Sequence, residues 1–211
     1  MQAIHKFLPD RRDMIIIMTA LSAAVLYRVF PRETVIQDVI VLTAFFVALP
    51  IFTLHFGARL PLSTYGIRRR GGMRGVILAL LSSAALSLVF FVAITMNREL
   101  EQVIRIPGIA QEGLSMIMYS ALLMYSAIVH AFFYGGVIGC GLWRQGIMTV
   151  LAVTLCSVLV TSGEIGVGVI GGTVAMVMAA LIGYFARALS SPMLFFFLTS
   201  GVILMVRIYA V

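Results

Sequence analysis

Charge is scarce in this chain. Only 11% of its 211 residues are Asp, Glu, Lys or Arg, against about 25% in soluble globular domains. With 62% hydrophobic residues and a mean hydropathy of +1.10, the deficit excludes an ordinary soluble domain and predicts an integral membrane protein. Cysteine is nearly absent too. Cys140 and Cys156 are the two present, and both fall inside apolar runs, which excludes a disulfide framework or a cysteine metal site and leaves them as packing residues. Alternating apolar and polar residues, the signature of a membrane β-barrel, do not occur. No inverted repeat of the kind found in secondary transporters is visible.

The charge that is present is unevenly placed. The net charge of +7 would suggest nucleic acid in a soluble protein. Here the arginines sit between apolar runs, so they set orientation in a membrane with anionic lipid, and no nucleic-acid partner is expected. The segment GARLPLSTYGIRRRGGMRG holds Arg59, Arg68, Arg69, Arg70 and Arg74 with no acidic residue. This is the strongest topology signal, and it makes the segment a cytoplasmic, lipid-facing anchor. The stretch 97–113 mixes Arg98 and Arg105 with Glu99, Glu101 and Glu112, and reads as the outer side.

Apolar runs then fall at about 14–30, 35–56, 73–96, 119–144, 147–162, 166–188 and 193–211. A helix needs roughly 20 residues to cross a bilayer. The expected fold is therefore all-α: one polytopic transmembrane domain over 1–211 with about seven spanning helices. The N-terminus lies in the cytoplasm and the C-terminus outside, in a bacterial inner membrane. Residues 14–30 are read as a retained first helix rather than a signal peptide. Asp10–Asp13 form a charged cluster before it, and Pro50 is an expected kink in the second.

The run YSALLMYSAIVHAFFYGGVIGCGLWR (119–144) stands out. His130 and Tyr134 are four residues apart and so share a helical face. Gly135, Gly136, Gly139 and Gly141 follow. An ionisable residue at membrane depth is a functional-site hypothesis by default; the plainer reading is a neutral histidine bonded to a neighbouring helix. For Tyr134 that plainer reading is an amphipathic side chain near the cytoplasmic half. Glu164, beside Gly163 between two runs, reads most simply as a headgroup-level carboxylate. His55 closes the second run. Gly166-x-Gly168-x-x-Gly171 opens an apolar helix with no strand before it, which removes the dinucleotide reading. Instead Gly168, Gly172, Ala175, Ala179 and Gly183 recur at three- and four-residue steps, a small-residue stripe for close helix packing, either within the chain or against another subunit.

Three segments, in order, resemble the CPBP (CAAX protease and bacteriocin-processing, or Abi) family of intramembrane metalloproteases. Val129-His130-Ala131-Phe132-Phe133-Tyr134-Gly135 resembles that family's Glu-Glu-x-x-x-Arg-Gly stretch. Val160-Thr161-Ser162-Gly163-Glu164 stands where its Phe-x-x-x-His stretch follows. Residues 183–201, GYFARALSSPMLFFFLTSG, resemble the approach to its final His-x-x-x-Asn, placing Phe196 and Ser200 at those two positions. Tyr65-Gly66-Ile67-Arg68-Arg69 is similar to a turn that precedes them. The likeness spans about 60–201 and lies in glycine and aromatic context; each defining polar position is changed. It implies a degenerate member whose catalytic residues are replaced, with His130, Tyr134 and Glu164 as vestigial candidates. Two ligands fall short of the three usual at a catalytic zinc, so no cofactor is expected. Three functions compete: a non-catalytic accessory or scaffolding subunit contacting other membrane proteins, an active zinc protease of this type, and a small transporter or channel.

Overall fold

The computed structural model describes residues 10–31, 33–67, 72–96, 116–162 and 167–209. Among them there is no strand, and the chain is all-α. Seven long helices occur among the described residues. These are α1 (Arg11–Val29), α2 (Val35–Gly57), α3 (Met73–Met96), α4 (116–140), α5 (Ile147–Ser162), α6 (Val167–Ala186) and α7 (Ser190–Tyr209). Val35–Gly57 and Ser120–Cys140 are each long and apolar enough to cross a membrane, while 73–89, 147–161, 172–186 and 190–202 are shorter apolar stretches.

Local chemistry sets the helix starts. Asp10 caps α1 by accepting from the Arg11 N–H at 2.8 Å, so α1 begins three residues earlier than its apolar pattern suggests. Asp13, expected in a polar lead-in, is consequently inside the helix and buried. Thr34 and Gln37 form a reciprocal capping box at α2, satisfying two otherwise orphaned N–H groups. Pro50 does not break α2. It lies between two π-helical turns, Ala44–Ala48 and Ile51–Gly57, and such widened turns absorb a local mismatch in the hydrogen-bond ladder. The final ten residues of α4, Ala131–Cys140, are also π-helical and entirely buried.

That π segment is the centre of the molecule. α6 packs along it most extensively, and α7, α1, α5, α2 and a short 3-10 turn at Leu62–Tyr65 also pack against it; α3 packs on α7, and α1 on α5. Glycine makes the approach possible. A Cβ on Gly183 would run into the carbonyl oxygen of Gly135, one on Gly139 into that of Ala180, and one on Gly135 into Pro192. Cys140 adds an Sγ–H donated to the Gly183 carbonyl at 3.3 Å. Gly66 follows the 3-10 turn at φ 74, a left-handed position that suits glycine. Its carbonyl accepts from the Leu189 N–H at 3.3 Å, tying this turn to the start of α7.

The outside of the bundle is as apolar as its centre. Met148 is 77% exposed, Val29 and Met73 75%, and Phe52 70%. Helices with apolar residues on all faces are buried in a large core or in lipid. The exposed apolar residues therefore support a membrane protein. Cys156 is exposed among them, which corrects its reading as a packing residue.

Candidate functional site

His130 ends the α-helical part of α4, one residue before the π segment. Its Nδ1–H donates to the Ser126 carbonyl at 2.7 Å, with the Ser126 hydroxyl at 3.1 Å. Ser126 is one turn earlier on the same helix, so the expected bond to a neighbouring helix is replaced by one within α4. The bond fixes the proton on Nδ1 and leaves Nε2 as an acceptor. Aromatic rings surround the imidazole. Phe46 meets it edge-on at 5.8 Å, Tyr134 lies parallel at 6.1 Å, and Phe196 is tilted at 6.4 Å. Phe46 in turn stacks on Phe133 at 4.2 Å and 7°, and Tyr27 lies 4.8 Å from it.

Tyr134 is completely buried, with the Thr161 side chain facing its hydroxyl. It therefore lacks the wet tip expected of an amphipathic side chain at a membrane interface. Nearby, Tyr27 donates to Asp38 Oδ1 at 3.1 Å, joining α1 to α2. The hydroxyls of Thr43 and Tyr125 pair across α2 and α4. Phe46 and Ser126 were not singled out by the sequence. Only Ser126 carried a signal, standing four residues before His130.

Three positions that the family resemblance assigns to the protease motif thus converge in space: His130, Tyr134 and Phe196. Ser200, one turn beyond Phe196, is buried as well. Glu164 lies outside the described residues, as do Arg68, Arg69 and Arg70. His55 is engaged elsewhere, its Nδ1 bonded to the Leu60 carbonyl at 2.8 Å at the end of α2. No group of three or more His, Cys, Asp or Glu able to hold a metal occurs among the described residues. Water activation needs a base or a Lewis acid together with a group that stabilises the developing oxyanion. His130 Nε2 can serve as a base, and the Tyr134 phenol nearby is a hydrogen-bond donor, whereas Phe46 and Phe196 carry no polar group.

The small-residue stripe divides. Ala179 and Gly183 face the π segment of α4 and are buried, whereas a Cβ on Gly172 would meet nothing within 4 Å. Gly168 lies in α6 at a point where side-chain surroundings are not described. Of the anchor arginines, Arg74 is exposed at the start of α3 and Arg59 adopts φ 55 after α2.

A second polar cluster joins α1 to the turn after α4. Gln145 donates its amide to Asp13 Oδ2 at 2.6 Å, leaving Oδ1 without a partner. Tyr65, also buried, has an unpaired hydroxyl. Burial pushes that phenol up to about 12, opposed by the positive charge of Arg12.

No family model, curated protein or solved structure matches the chain.

Proposed function

We propose that this is a non-catalytic integral membrane protein, related to the CPBP intramembrane proteases, that serves as an accessory or scaffolding subunit of a membrane complex. The observation carrying the reading is the convergence of His130, Tyr134 and Phe196 at one point, filled by ring packing. At the positions that the resemblance assigns to a protease's glutamate, arginine and final histidine, the groups present here pack as rings. The accompanying architecture has all seven helices spanning a bacterial inner membrane, with the 59–74 segment in the cytoplasm and the C-terminus outside. Labelling of that segment by an impermeant reagent in intact cells would overturn the orientation.

The competing reading, an active protease working through His130, has one observation in its favour: the Nε2 acceptor left free by the Nδ1 bond to Ser126. Incubation of the reconstituted protein with candidate membrane substrates separates the two. The proposal expects no cleavage above background with or without a chelator. Reproducible chelator-sensitive cleavage, abolished by His130→Ala, would establish the protease instead.

A further inference from the structure

One side chain on this molecule holds two cations at once. Trp143, in the turn that follows the π segment, has the guanidinium of Arg187 4.0 Å from its ring centroid and that of Arg144 at 5.3 Å. Both arginines are exposed and the indole is half-buried. Neither guanidinium makes an ion pair among the described residues. Asp13 does not neutralise them: it is buried, and the one bond it makes is to the Gln145 amide. The ring quadrupole attracts each cation, but two positive charges gathered on one ring repel one another.

The backbone adds to this. Arg187 has φ 53 and directly follows the last residue of α6, donating its N–H to the Gly183 carbonyl at 2.8 Å. Glycine is the usual residue at such a left-handed helix end, so an arginine there bears conformational strain. α3 begins beside the end of α6, where a Cβ on Gly75 would meet the Ala186 side chain at 2.8 Å, and Arg74 precedes Gly75. Trp143 is the single tryptophan of the chain.

Tryptophan and arginine together at the rim of apolar helices suit the level of lipid headgroups, and unpaired arginines there suit anionic ones. We propose that Trp143, Arg144 and Arg187, with Arg74 at the edge, bind the phosphodiester headgroup of an anionic phospholipid. The indole meets the glycerol and upper acyl region, and the guanidiniums hold the phosphate, whose planar bidentate fit to arginine lysine does not share. The phosphate supplies the negative charge that the two arginines lack. This site rests on the membrane reading above and is independent of whether the His130 centre is catalytic.

The test uses Trp143 fluorescence in the full-length protein reconstituted in bilayers of neutral phosphatidylcholine. Brominated phosphatidylglycerol or brominated phosphatidylcholine is added as a contact quencher. The proposal expects half-maximal quenching at a lower mole fraction of the anionic lipid, by roughly fivefold for each arginine engaged. In Arg144→Gln/Arg187→Gln the two curves should coincide, and in Arg187→Gln alone the gap should narrow. An unchanged helical circular dichroism spectrum and unfolding temperature in neutral lipid check that each variant is folded. Coincident curves in the unaltered protein, or a preference that survives the double substitution, would overturn the site. Cancellation of the preference by inorganic phosphate would show a general phosphate site and overturn the lipid assignment. Quenching by neither lipid would refute the placement of Trp143 at a bilayer, and with it the membrane reading itself.

Discussion

His130 and Tyr134 illustrate what a single residue can and cannot reveal. Their four-residue spacing placed them on one face from the sequence, and the two rings do lie parallel. What surrounds them was not legible, because Phe46, Phe133 and Phe196 come from three different stretches of uniformly apolar chain. Nothing in such stretches distinguishes a ring that packs on an imidazole from one that faces lipid: Phe196 is buried while its neighbour Phe197 is 54% exposed. The buried hydroxyl of Tyr65 is unpaired, whereas that of Tyr134 faces the Thr161 side chain. An unsatisfied buried hydroxyl costs about 1–3 kcal/mol. Tyr65→Phe is therefore expected to leave stability unchanged or raise it by up to roughly that amount, read as thermal unfolding in detergent. A loss of stability in that variant would mean that the hydroxyl has a partner in the membrane-embedded protein.

The elements were more legible than their interiors. Apolar runs between arginine-bearing turns located the helices, because the cost of burying charge in lipid confines arginine to the ends. The π segments were invisible, since an all-apolar run carries no periodicity from which to tell an extra residue per turn. The stripe on α6 was legible as small residues but not as to which member meets which surface. Gly183 sits against the Gly135 backbone, where even a methyl group has no room, while Gly172 lies open. Overpacking of this kind costs about 1–3 kcal/mol. Gly183→Ala should lower stability by roughly that amount or more, whereas Gly172→Leu should leave the isolated chain's unfolding temperature unchanged. Any contact with another subunit along α6 therefore belongs to the Gly172 end. An unfolding temperature lowered equally by both substitutions would contradict that division.

At the scale of the molecule, two helices are long and apolar enough to cross a membrane, and among the described residues polar side chains meet in internal contacts such as Tyr27 with Asp38, Gln145 with Asp13, and His130 with Ser126. Each of these ties helices together or closes a bond within one helix. The scaffolding role we propose for the chain is lateral. Within a bilayer, association comes from close packing of small and apolar surfaces rather than from hydrophobicity, which is the chemistry its outer faces carry. Native mass spectrometry of the protein released from mild detergent tests this most directly, because it reads bound subunits and bound metal in one spectrum. The account predicts the chain together with a second membrane protein, with no zinc increment in either the unaltered protein or His130→Ala. A lone chain carrying one zinc that His130→Ala removes would contradict it.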